Sequence, residues 1–310
     1  MINILGKRYI FFAVSAIVII PGLILLAIQA TRGTLPLAID FTGGSLLEVK
    51  FEEGIHPQPS AIVSLYTSLG VEDVTAQTTS ENSYVIRSSP LEDSVRAGMV
   101  DALSERFGSA VTVLRFETVG PTIGQQVTVN ALMAIGVAAL LVILYMTYAF
   151  RRVPNALRYG ICAILAMIHD VAVVLSLVAI GGIFWGWQID ALFLTALLTV
   201  IGFSVQDKIV VFDRVRENTN IYRRLEFEKL VNHSIVQTLG RSINTQLMTV
   251  EFILLALALF GGVTLREFAT ILLVGLFMGT YSSIFIAAPT LVMWENKEWR
   301  TWFGRKESAA

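Results

Sequence analysis

Six stretches of this chain approach the roughly 20 apolar residues that a helix needs to cross a bilayer. They lie near Tyr9–Gln29, Val127–Phe150, Leu157–Ile180, Ala191–Phe212, Thr245–Phe260 and Phe268–Met293. Lipid offers no partner to backbone N–H and C=O groups, so such stretches fold as helices. Hydrophobic residues make up 55% of the 310 positions and charged residues 15%, against about a quarter charged in an ordinary soluble domain. The expectation is an α-helical polytopic membrane protein with six transmembrane helices. The fifth stretch is the weakest, because it is short and Glu251 interrupts it. The first has Lys7 and Arg8 ahead of it and small residues near Ala30, as in a signal peptide. Its apolar run exceeds a usual signal core, so it reads as an uncleaved anchor, kinked at Pro21–Gly22.

Basic residues in short loops set orientation. Lys7 and Arg8 precede the first span, and Arg151, Arg152 and Arg158 lie between the second and third. Arg214, Arg216, Arg223, Arg224 and Lys229 lie between the fourth and fifth, and Lys297, Arg300, Arg305 and Lys306 follow the sixth. All fall on one side, which is read as cytoplasmic, together with both termini. The opposite short loops, Gly181–Asp190 and Gly261–Glu267, hold Arg266 as their single basic residue. Trp185 and Trp187 would mark the outer interface, and Trp294, Trp299 and Trp302 the inner one.

Residues 35–120 then lie outside and have the make-up of a small soluble domain. Leu47, Val49 and Phe51 alternate with charges as in a half-buried strand. Ile62, Leu65, Tyr66 and Leu69 form a helical stripe that stops at Gly70. Val71–Thr79 and Ser83–Ser88 read as strands. Ser89-Pro90-Leu91-Glu92 reads as a capping box with proline at the first helical position. Val95, Met99, Leu103 and Phe107 share one face, Gly108 ends that helix, and Val111–Thr118 is a last strand. The order β-α-β-β-α-β is that of a small α+β ferredoxin-like domain. The expected division is therefore 1–34 for the cytoplasmic end and first span, 35–120 for the extracytoplasmic domain, and 121–310 for a five-helix bundle with a cytoplasmic end. Arg214–Gly240, of mixed charge, reads as a helix along the inner face, either a solvated connector or a lipid-contacting one.

Asp207 is the sharpest candidate for function, since an ionisable group inside a span is costly. Its counter-charge would be Arg241, which opens the next apolar stretch and cannot itself deprotonate. Asn244, Thr245 and Thr249 follow Arg241 at helical spacing and could supply hydrogen bonds. The bland alternatives are a structural intramembrane ion pair for Asp207 and an interfacial positive charge for Arg241. His169 and Asp170, near the middle of the third span, suit either a proton path or helix-to-helix hydrogen bonding. Gly275 and Gly279 form a small-residue packing motif. Cys162 stands alone, and His56, His169 and His233 are scattered. Neither a metal site nor a glycine-rich phosphate loop nor a Ser/His/Asp set is visible. The expectation is therefore no metal, no cofactor, no enzymatic activity and no nucleic-acid partner.

Several segments together resemble one family: IDFTGG at Ile39–Gly44, VGPTIG at Val119–Gly124, HDV at His169–Val171, FSVQDKIVVFDRVREN at Phe203–Asn218 and RSINT at Arg241–Thr245. They are similar to the SecD/SecF family, accessory membrane subunits of the bacterial Sec protein translocase, on its SecF side. The likeness runs from about Asp40 to Trp294. It implies a six-span half of a resistance-nodulation-division type fold in the bacterial cytoplasmic (inner) membrane. It implies a SecD-like subunit, a SecYEG-type channel and preprotein substrates as partners, besides the lipid bilayer. It also implies proton-driven promotion of preprotein export, with Asp207 and Arg241 in the places of the family's intramembrane acid and base. Ala38, Gln206, Lys208 and Glu251 depart from the family pattern. Lys208 lies about 100° round a helix from Asp207, so the two need not pair. The competing readings are half of a proton-driven small-molecule efflux transporter and a non-transporting membrane scaffold. The small outer domain disfavours the first and the intramembrane acid the second.

Overall fold

The computed structural model describes residues 3–80, 83–151, 156–246 and 251–298. A 3-10 turn at Leu5–Lys7 leads into α1 (Arg8–Thr31), then α2 (Ile39–Thr42), β1 (Gly44–Phe51), α3 (Pro59–Ser68), β2 (Thr75–Ser80) and β3 (Ser83–Ser88). There follow α4 (Asp93–Phe107), β4 (Val111–Val119), α5 (Pro121–Ala149), α6 (Ala156–Phe184) and α7 (Ala191–Ile221). The chain ends in α8 (Phe227–Gln246), α9 (Phe252–Phe260), α10 (Val263–Ser282), a π turn at Ser283–Ala287, and α11 (Ala288–Glu295). Two compact units divide it: Pro36–Ala134 with Gln188–Ala191, and the remainder.

The first unit is built on an antiparallel sheet of order β2-β3-β1-β4. Alternation decides which face of β1 is buried. Leu47, Val49 and Phe51 point into a core shared with Ile62 and Tyr66 of α3, Ile86 of β3, and Met99 and Leu103 of α4. Phe51 meets Tyr84 and Phe107 edge-on, with ring centres 5.5 and 5.7 Å apart. Two boundaries differ from those expected. The second strand begins at Thr75 because Val71 still donates its N–H to Tyr66 O, and Asp73 has a left-handed φ of 54° that breaks the extended run. The helix expected at Pro90 begins at Asp93, and Ser89 does not cap it. Leu91 is drawn into the core with its N–H on Ser45 Oγ at 2.7 Å, the Ser89 N–H that a capping box would bond goes to Glu72 O at 3.0 Å, and Glu92 is still extended. Gly108, at φ 62°, closes α4 as anticipated.

The paired glycines have a steric reason. Gly43 and Gly44 adopt φ of 75° and 131°, where a side chain is strained. A Cβ on Gly43 would lie 2.9 Å from Pro121 Cα, and one on Gly44 2.7 Å from Ser88 O. Thr128 Oγ1 of α5 donates to Phe41 O at 3.2 Å. Asp40 Oδ2 accepts the Ala191 N–H at 2.9 Å.

In the second unit α6 packs against α1, α10 and α11. Among the described residues five segments are long and apolar enough to cross a membrane: Leu5–Thr31, Pro121–Ala149, Leu157–Phe184, Ala191–Ile221 and Leu265–Glu295. The fifth expected stretch, Thr245–Phe260, is divided between the end of α8 and the nine-residue α9, with residues 247–250 outside the description. Pro21 lies inside a continuous α1, where Gly22 lets α6 approach and Ser176 Oγ donates to Ile19 O at 3.0 Å. Gly275 and Gly279 do the same between α10 and α7, facing Val200 and Ser204. The motif therefore serves a contact inside the chain.

The mixed-charge connector is not one helix along a surface. Arg214 continues α7, and α8 starts afresh at Phe227 with Leu230, Val231 and Ile235 buried. Asn218 ties the two together by donating to Ser234 Oγ at 2.8 Å and Gln237 Oε1 at 2.9 Å. Nearby, Arg8 bridges Glu228 at 3.0 Å and Glu298 at 2.7 Å, and Asn232 Oδ1 accepts the Ile4 N–H at 2.9 Å. One face of α8 is thus buried, while Lys229, Gln237 and Gly240 on it stay exposed.

Tyr66 is fully buried, and its hydroxyl has no hydrogen-bond partner among the described residues. Burial pushes its phenol up from the ordinary value of 10.0. The folded state therefore holds this proton more firmly than the unfolded chain does. The associated stability is complete below about pH 10 and is lost as pH rises further. Tyr66→Phe should leave stability at neutral pH unchanged or raise it by up to about 1 kcal/mol. It should also flatten the fall of the thermal midpoint above about pH 10. Calorimetry of the two purified proteins at neutral and alkaline pH checks this, and a loss exceeding about 1 kcal/mol at neutral pH would mean the hydroxyl is bonded after all.

Candidate functional site

Asp207 and Lys208 are consecutive on α7, and consecutive helical residues point about 100° apart. They serve two different neighbours. Lys208 is 0% exposed and turns to α6, where its Nζ lies 2.8 Å from Asp170 Oδ2. Ser204, one turn earlier on the same face, donates to that oxygen and in turn accepts from Lys208 Nζ. Ser282, at the end of α10, donates to it as well, at 2.8 Å. Asp170 Oδ1 lies 3.0 Å from His169 Nδ1, and His169 Nε2 lies 2.9 Å from Ser15 Oγ on α1. A carboxylate only accepts, so Nδ1 carries the hydrogen and Nε2 accepts from Ser15. The imidazole stacks on Tyr281 with ring centres 6.2 Å apart. One polar cluster thus joins α1, α6, α7 and α10.

The energetics of such a pair are lopsided. A buried ion pair roughly breaks even against an apolar replacement, but removing one partner strands the other at about 3–5 kcal/mol. Asp170, 1% exposed, has its charge met by one ammonium and two hydroxyls. Ser15, His169 and Asp170 also stand in the hydrogen-bond order of a nucleophile, base and orienting acid. The sequence hid this set because Ser15 and His169 are 154 positions apart. Ser15 is buried against α6, and Asp170 is already committed to Lys208. The set therefore acts as a bonded chain and not as an accessible nucleophile.

Asp207 faces the other way. It is 8% exposed, and its Oδ2 accepts from Thr280 Oγ1 of α10 at 2.7 Å. Glu251, also 8% exposed at the head of α9, lies within its electrostatic reach. Arg241 is not brought to Asp207. It is exposed on α8, and among the described residues it pairs with neither acid. The cation closest in sequence and in effect is Lys208. Asn244 and Thr245 are exposed beside Arg241 on α8, and Thr249 lies outside the described residues. The structure therefore brings together His169 and Asp170 of the expected set, and places Asp207 next to their cluster through Lys208. Thr280, Ser204, Ser282 and Ser15 carried no signal of their own, since hydroxyls at helical spacing are common in spans. Lys208 did carry one: two opposite charges at mid-span, on consecutive spans, have to meet. Among the described residues no group of three or more His, Cys, Asp or Glu is placed to hold a metal.

Residues 99–297 match the family described as protein export membrane protein SecD/SecF, C-terminal, and residues 34–55 match the SecD/SecF GG motif. The second match contains Gly43 and Gly44, the pair with positive φ. The chain is 66% identical over 305 residues to the protein translocase subunit SecF of Anaerolinea thermophila, covering 98% of each. It is 44% identical to that of Thermobaculum terrenum, covering 100% of this chain and 99% of the relative. A crystal structure of SecDF from Thermus thermophilus, titled a translocon-associated membrane protein, superposes with a TM-score of 0.80 at 32% identity. That match covers 95% of this chain and 39% of the SecDF chain. These matches span nearly the whole sequence, glycine pair and polar spans alike, and the chain belongs to the SecD/SecF family of protein export membrane proteins.

Proposed function

We propose that this chain is an accessory subunit of a protein translocase which, with a SecD-like partner, uses the proton gradient to promote preprotein export through a Sec channel. The observation that carries this is Asp207, a carboxylate almost closed off from solvent whose bonded partner is the neutral hydroxyl of Thr280. An intramembrane acid that is not locked in an ion pair is free to take up and release a proton. Each charge moved across the membrane contributes roughly 2.3 kcal/mol per 100 mV. Protonated, Asp207 rests against Thr280. Ionised, it draws Arg241 of α8 toward it, with Asn244 and Thr245 lining the approach. The proton thereby shifts a two-state bundle by its different affinity for the two states. His169 and Asp170 support this path from α6.

The arrangement in the bacterial cytoplasmic membrane is six spans with both termini inside, the fifth being the stretch Thr245–Phe260 that ends in α9. Residues 35–120 form a ferredoxin-like extracytoplasmic domain. The element order around the sheet and the strand order β2-β3-β1-β4 support that assignment. The SecD-like partner is supported by SecDF, in which the part matching this chain is joined to a longer remainder. The apolar surface of α5, with Leu132, Val137, Leu141 and Leu144 exposed, suits lipid and such a partner.

Two measurements test the reading. In vesicles holding the whole translocase, Asp207→Asn should keep expression and partner binding and remove nearly all of the gradient-stimulated export. Full retention of that stimulation would make the acid structural and put the scaffold reading first. For orientation, a Ser80→Cys variant in a Cys162→Ala background should react with an impermeant maleimide added outside intact cells. Reaction only after the inner face is opened would reverse the topology.

A further inference from the structure

The Lys208–Asp170 pair carries no proton in the step just described, yet it holds the most deeply buried charge among the described residues of the bundle. We propose that Lys208 is the positioning residue for Asp207: anchored on Asp170, it fixes the rotation of α7 so that Asp207 faces Thr280. The inference rests on the proposed role of Asp207.

The geometry supports it in three steps. First, Lys208 and Ser204 lie one turn apart and both bind Asp170 Oδ2, so α7 is held to α6 at two levels of one face. A helix fixed at two points on one face cannot rotate about its axis. Second, Asp170 also binds Ser282, while Thr280, two residues earlier on α10, binds Asp207. The anchor and the proton-carrying acid are thus tied to the same short stretch of α10. Third, that stretch comes close to α7, since a Cβ on Gly279 would sit 3.2 Å from Ser204 Cα. With α7 and α10 this near, a small rotation of α7 moves the Asp207 carboxylate out of reach of Thr280 Oγ1. Lysine suits the anchor because its flexible stem lets one ammonium reach both Asp170 and Ser204. The other titratable or charged groups around the cluster are His169 and Tyr281, which stack on each other, and Asp207 itself. Glu251 stands buried just before α9, and Arg241 stands exposed on α8.

The test separates anchoring from mere charge balance. It uses full translocase vesicles, export with and without a proton gradient, and the heat stability of each variant. Lys208→Met strands Asp170 and should cut gradient stimulation by about tenfold or more. Lys208→Met combined with Asp170→Asn strands no charge. It should return the thermal midpoint to within about 3 °C of the parent while stimulation stays low, because no anchor remains. Lys208→Arg keeps the charge and should retain most of the stimulation. Should neither methionine variant accumulate, Ser282→Ala serves instead. It removes one tie to Asp170 with every charge in place, and should lower stimulation about threefold at unchanged heat stability. Recovery of stimulation in the double variant, or full stimulation in Lys208→Met or Ser282→Ala, overturns the proposal. Loss of the gradient response in Asp207→Asn together with full stimulation in Lys208→Met rejects the anchor alone. A full gradient response in Asp207→Asn rejects the reading beneath it.

Discussion

The helix bundle depends on the placement of one buried positive charge. An ammonium taken out of water has to be met by a carboxylate and further oxygens, or the folded state does not form. Lys208 meets this condition through Asp170 and Ser204, and Asp170 through Ser282 and His169 as well. The demand for full satisfaction leaves little freedom in how α1, α6, α7 and α10 are arranged. The close contacts at Gly22, Gly275 and Gly279 belong to the same arrangement, because the side chains of the cluster reach each other only when the helices lie near.

Two acids near the same depth consequently have opposite surroundings. Asp170 is surrounded by donors, one of them charged, whereas Asp207, on the other side of α7, has a neutral threonine hydroxyl. The contrast follows from the 100° step between Asp207 and Lys208. A chain with its only lysine at this depth facing Asp207 would have locked the wrong acid. The glycine pair after α2 works in the other unit by the same logic of enforced closeness. Gly43 and Gly44 take backbone angles closed to other residues, and α5 and β3 pack where their side chains would be.

Much of this was legible in the sequence. Apolar length located five of the six expected spans as long helices, and two-residue alternation placed β1, because burial is written directly into those patterns. Gly108 ended its helix as a left-handed residue should. The start of α4 differs from that expected because Glu72 O, seventeen positions earlier, takes the Ser89 N–H that a capping box would have used. The Arg214–Gly240 connector was misread because the burial of Leu230, Val231 and Ile235 depends on tertiary neighbours. At the site, single ionisable residues in spans stood out, but their partners did not. Lys208 was noted only for its place beside Asp207, yet it meets Asp170 thirty-eight positions earlier. Helical spacing says which face a residue is on and nothing about which helix that face meets.

On the function proposed here the two acids divide their duties: Asp207 exchanges a proton and Asp170 is held by its cation. Carboxyl infrared difference spectra of the reconstituted protein, recorded across a pH step, test this most directly. The expected result is a titrating carboxyl band that disappears in Asp207→Asn. A band that survives in Asp207→Asn and disappears in Asp170→Asn would contradict it.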